Sequence, residues 1–121
     1  MTTSFTAILR RAVDDTPDAV GGAFAAGDGE MVDAVATGDP IEWALLTAHY
    51  GVILNHLEHA LGTWHFGGTE YFVVTNQRLS VLVHTVDAGY FALLAVSPRA
   101  PLAVALEQLR IAAIALREEM R

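Results

Sequence analysis

The chain has 121 residues, 53% of them hydrophobic, with a formal net charge of −7. That length is one domain, residues 1–121, able to bury roughly two thirds of its unfolded surface. It holds no cysteine, which excludes disulfides, thiolate metal sites and cysteine nucleophiles. All seven basic residues are arginine, and only Arg10 and Arg11 are adjacent. This is too little for the basic patch of a nucleic-acid binder. The N-terminus lacks a charged region followed by an apolar run, and no apolar run is long enough for a transmembrane span. A cytoplasmic protein is the expectation.

Ser4 is placed to cap a first helix from Phe5 to about Asp15, with Phe5, Ile8, Leu9, Ala12 and Val13 at helical spacing. Thr16-Pro17-Asp18 breaks it, because the residue before proline avoids the helical region. Residues 19–26 (AVGGAFAA) read as a soft strand. Gly27-Asp28-Gly29 is a tight turn, and residues 30–37 return as a second strand. Asp39-Pro40 then opens a long helix, Ile41–Gly62, with Asp39 as cap, Pro40 at the first helical position and Gly62 as a left-handed stop.

Residues 69–75 (TEYFVVT) are β-branched and aromatic and read as a third strand. Asn76-Gln77 turns into a fourth strand over 78–86, apolar on both faces. Asp87-Ala88-Gly89 turns into a fifth, doubly buried strand over 90–96. Ser97-Pro98 stops it, and a last helix runs from about Ala100 to Arg121 on a core stripe of Leu102, Leu106, Leu109, Ala113 and Leu116. Two hairpin-linked groups of strands favour an antiparallel sheet, and helices on its faces make an α+β sandwich.

The long helix carries more apolar surface than one sheet needs. A broad stripe of Trp43, Leu46, Tyr50, Ile53, Leu54, Leu57 and Leu61 suits the sheet. A small-residue stripe of Ala44, Thr47, Ala48, Gly51 and Asn55 is expected to admit a second helix. Gly51 in mid-helix costs about 1 kcal/mol relative to alanine, so it needs a packing reason; a partner helix is the preferred one, and room for this chain's own strand is the alternative. A third stripe mixes Leu45 and Val52 with His49, His56 and His59. His56 and His59 are three apart, but one helix supplies too few ligands for a metal centre. These histidines are expected at the surface, as a rim or a partner-reading edge. Trp43 and Trp64 flank the helix and fit either core or an exposed hot spot.

Nothing assembles into catalytic machinery. Ser80 and His84 lie too far apart along one strand for direct contact, and no nucleophile elbow surrounds Ser4, Ser80 or Ser97. There is no lysine for a phosphate loop. No cofactor is expected, and the chain is not itself expected to be a GTPase.

This order, with turns in these places, resembles the roadblock / dynein-light-chain domain family, a longin-like fold. The cues are Thr16-Pro17-Asp18 before strand one, Gly27-Asp28-Gly29 as the first hairpin turn, the long middle helix, Tyr71-Phe72-Val73-Val74, and residues 78–86 with 87–95 before the last helix. Trp64-His65-Phe66-Gly67-Gly68 departs from the family pattern. The resemblance implies one five-stranded antiparallel sheet, with the middle helix on one face and the N- and C-terminal helices on the other. It implies a non-enzymatic homodimer, joined through the middle helix and strand three, that scaffolds or regulates a small Ras-like GTPase. The interface expected on this chain is Ala44, Thr47, Ala48, Gly51 and Asn55 with Tyr71 and Val73. His49, His56 and His59 are the candidate partner surface. A small-molecule-binding sensor domain of similar architecture is the alternative, to be recognised by a pocket between sheet and long helix.

Overall fold

A computed structural model describes residues 4–62, 66–87 and 89–121. The elements run α1 (Ser4–Asp14), β1 (Ala19–Ala26), β2 (Met31–Ala36), α2 (Pro40–Leu61), β3 (Tyr71–Thr75), β4 (Ser80–Asp87), β5 (Tyr90–Val96) and α3 (Leu102–Glu119). The strands form one sheet in the order β2-β1-β5-β4-β3, antiparallel at every pairing. The expected α+β architecture is therefore the observed one.

β5 lies in the middle, and its residues from Phe91 to Val96 are all buried. Alternate side chains leave a strand on opposite faces. Phe91, Leu93 and Ala95 enter the layer under α2, with Trp43, Tyr50 and Leu54. Ala92, Leu94 and Val96 enter the other layer, with Leu9 of α1 and Leu109, Ala113 and Leu116 of α3. Each large side chain so buried contributes about 1.5–3 kcal/mol. The sheet therefore needs helices on both faces.

The ends of α2 bear out one expected cap and correct the other. Asp39 Oδ1 accepts the Ile41 amide at 2.9 Å. Gly62 instead keeps right-handed dihedrals, φ −67 and ψ −16, and its amide bonds Glu58. The helix closes by continuing its own hydrogen-bond pattern. Trp43 is core, and Trp64 lies outside the described residues. On α3 the buried line is Ala105, Leu109, Ala112, Ala113 and Leu116, while Leu102 stays 39% exposed at the first turn.

The sheet-facing stripe of α2 is rotated from the one expected. Thr47 and Gly51 are buried in it, whereas Ile53 and Leu61 are exposed. The cause is the first hairpin turn. Gly29 has φ +90, and a Cβ on it would lie 2.9 Å from Ala48 Cα. A Cβ on Gly51 would lie 3.2 Å from Gly29 Cα and 3.3 Å from Phe91 Cε1. Asn55 Nδ2 donates to Gly27 O at 2.9 Å. The small residues admit this chain's own turn against α2, so the expectation that Thr47 and Gly51 face a second helix does not hold. Gly51→Leu should consequently destabilise the single chain by about 1–3 kcal/mol through overpacking. Chemical denaturation of dilute protein reads this directly; an unchanged midpoint would show that the contact is not tight.

Candidate functional site

Three surfaces remain once the core is closed. The first is the outward side of α2. Its most exposed large side chains are Ile41 (72%), Leu45 (56%) and Val52 (49%). At 3.6 residues per turn these three fall on one line facing away from the sheet. Ala48 is half-buried beside that line, and Ala44 and Asn55 are exposed on the flank that meets the β1–β2 turn.

The opposite flank of α2 faces β3. Tyr50 stacks on Phe72 with ring centroids 6.4 Å apart, and Asn76 Nδ2 lies 3.5 Å from the Tyr50 hydroxyl. Further round the helix on that flank come Leu46, Ile53, His49 and His56. His49, His56 and His59 are all exposed, and His59 Nδ1 lies 2.9 Å from Asn55 O. His49 and His56 thus lie between the outward line and the β3 flank, while His59 falls on the outward line itself, beside Asn55, with Ala44, Ala48 and Asn55 on the other side. Among the described residues no group of three or more His, Cys, Asp or Glu could hold a metal ion.

The second surface is the outer edge of β3. Tyr71 and Val73 are 47% and 38% exposed. Phe72 and Val74 turn into the α2 layer, while Tyr71 stacks on His84 across the sheet. The β3–β4 ladder is closed at its ends by Thr85 N to Glu70 O and by Asn76 N to Leu79 O. In an antiparallel pair, hydrogen-bonded and non-bonded positions alternate. Phe72 and Val74 therefore bond to β4. Tyr71, Val73 and Thr75 aim their amides and carbonyls outward. The strand carries no proline, bulge or charge, the devices that blunt an edge.

The other edge, β2, is blunted. Its register slips between Phe24 and Ala25, which leaves Val32 as the extra residue of a bulge. Asp33 on the same strand takes a hydrogen bond from Thr6 of α1.

The third surface is a cleft of about 710 Å³ at the end of the sheet. Leu54, Val86, Tyr90 and Ile114 contribute its apolar lining, Glu58, Glu70 and Asp87 its carboxylates, and Arg110 and Arg117 its guanidinium groups. Arg110 is engaged by Glu107, with Nη2 to Oε1 at 2.6 Å. That hydrogen bond holds the Glu107 carboxyl below its ordinary range. The cleft was not legible in the sequence, because its residues come from six separate segments. The space between sheet and α2, where a sensor pocket was expected, is filled by Trp43, Tyr50, Leu54 and their neighbours.

Comparison with known proteins bears on the fold. No protein-family model matches the sequence, and no curated protein does. Solved structures match over almost the whole chain. A Roadblock/LC7 domain from Streptomyces avermitilis is similar at a TM-score of 0.87 and 15% identity, covering 99% of this chain and 98% of that one. MglB of Myxococcus xanthus is similar at 0.87 and 12%, covering 98% and 95%. The gliding protein MglB of Thermus thermophilus is similar at 0.85 and 14%, covering 94% and 86%. At such low identity the likeness speaks for architecture, and the architecture of this chain is that of a Roadblock/LC7 domain.

Proposed function

We propose that this chain is a non-enzymatic homodimeric module that scaffolds or regulates a small Ras-like GTPase. The observation that carries the reading is an open β3 edge beside an unpartnered flank of α2, on a fold shared with gliding-protein MglB. The two sheet edges differ in kind: β2 is bulged and tied to α1, while β3 offers three consecutive outward pairs of amide and carbonyl. An edge of this sort pairs with another strand or aggregates.

In the proposed dimer the sheet continues from β3 into β3 of the partner. A two-fold axis at Val73 sets Tyr71 opposite the partner's Thr75 and uses all three outward-facing residues. Antiparallel pairing is required by the two-fold. α2 then meets its copy through the flank that faces β3, with Ile53, His49 and His56. Ala44, Ala48 and Asn55 stay on the turn side. The proposed interface is thus shifted around α2 from the small-residue stripe, while Tyr71 and Val73 keep their place in it.

The pairing has a residue-by-residue signature in amide exchange. Phe72 and Val74 should be protected at every protein concentration. Tyr71, Val73 and Thr75 should be protected in concentrated protein and lose protection on dilution. Fast exchange at these three in concentrated protein would place the seam elsewhere.

GTPase binding is tested by pull-down with small Ras-like GTPases loaded with GDP or GTP. Retention in one nucleotide state is the expected result, and equal absence in both would contradict the regulatory role. The cleft at the sheet end favours one second reading, a small-molecule sensor, since its volume lies in the range of ligand sites. A small molecule co-purifying with the protein would support that reading.

A further inference from the structure

The cleft at the end of the sheet runs from one face of the sheet to the other, and its two ends differ in charge. On the α2 side, Glu58 Oε1 accepts the Thr69 amide at 3.1 Å, which ties the segment before β3 to the helix. Val81 and Val83 of β4 enter the layer under α2, and Thr85 follows them in alternation. Tyr71 pairs with His84, so Glu70 stands opposite Thr85 on that same face. The Thr85 amide and hydroxyl both donate to Glu70 O at 3.0 Å. These bonds fix the backbone of Glu70, while its carboxylate has no partner among the described residues.

On the other face, α3 brings Arg110 and Arg117 into the cleft. Arg110 is held by Glu107 at 2.6 Å. Asp87 lies on this face with its strand partner Tyr90 and is engaged within the chain. Arg117 is therefore the cation left without a partner among the described residues. Leu54, Val86, Tyr90 and Ile114 line the space between the two ends. A lone carboxylate and a lone guanidinium, separated by apolar side chains, match a ligand with an ammonium at one end and a carboxylate at the other. Groups on opposite faces of one layer stand roughly 10 Å apart. Three extended residues span about that length, whereas a free amino acid reaches only one end. We infer that this cleft takes a short apolar peptide with free termini, its ammonium at Glu70 and Glu58 and its carboxylate at Arg117. The inference rests on the cleft being a ligand site, the second reading above, and is independent of any GTPase.

The probe is Leu-Ala-Leu with free termini, titrated calorimetrically into the full chain beside its N-acetyl and C-amide forms. Glu70→Gln and Arg117→Gln each remove one end of the site. Glu118→Gln, on α3 outside the cleft, is the control. The free peptide should bind, and each blocked form should bind about fivefold more weakly, the scale of one solvated ion pair. Glu70→Gln should weaken the free peptide by a similar factor and leave the acetylated form unchanged. Arg117→Gln should weaken the free peptide and leave the amide unchanged. The control should match the unaltered chain. No binding of the free peptide, equal binding of all three forms, or equal loss in the control overturns the inference. A different molecule that co-purifies in the cleft and is not displaced by Leu-Ala-Leu would keep the sensor reading and overturn the peptide assignment.

Discussion

The double burial of β5 is the constraint on which the molecule depends. A strand apolar on both faces cannot border water, so it must be central and must be covered twice. Its neighbours β1 and β4 take the flanking positions by antiparallel pairing, and β2 and β3 are left outermost. One face receives α2, and the other receives α1 and α3. The exposed side of α2 and the two edges follow from these placements.

The edges then divide the roles. β2 is held back by its bulge and by Asp33, while β3 stays flat and open. The turn between β1 and β2 reaches over to α2 and occupies its small residues. That contact leaves the outward row and the β3 flank of α2 as the surfaces available to anything else.

Much of the fold was legible in the sequence. Gly27-Asp28-Gly29 marked the first turn, and Asp39-Pro40 marked the start of α2. The apolar run over 90–96 marked the central strand. The rotation of α2 was less accessible. Apolar count favoured Ile53 and Leu61 over Thr47 and Gly51 for the sheet, because periodicity reads hydrophobicity and not the approach of a distant backbone. Only Gly29, eighteen or more residues away in the chain, decides where the small residues point. The histidines at 49, 56 and 59 were correctly expected at the surface, but the nearness of His49 and His56 to the β3 flank depends on Tyr50 stacking against Phe72. The cleft depends on segments remote in sequence, and no local pattern announced it.

The central claim is that β3 is the edge through which two copies join. The absence of cysteine from the chain gives a clean measurement. A single Val73→Cys variant places one thiol at the proposed two-fold axis, where facing residues of paired strands lie within disulfide reach. Val32→Cys places one on the bulged β2 edge. Under mild oxidation the first should form a covalent dimer and the second should form no cross-link. A dimer at Val32 with none at Val73 would contradict the account.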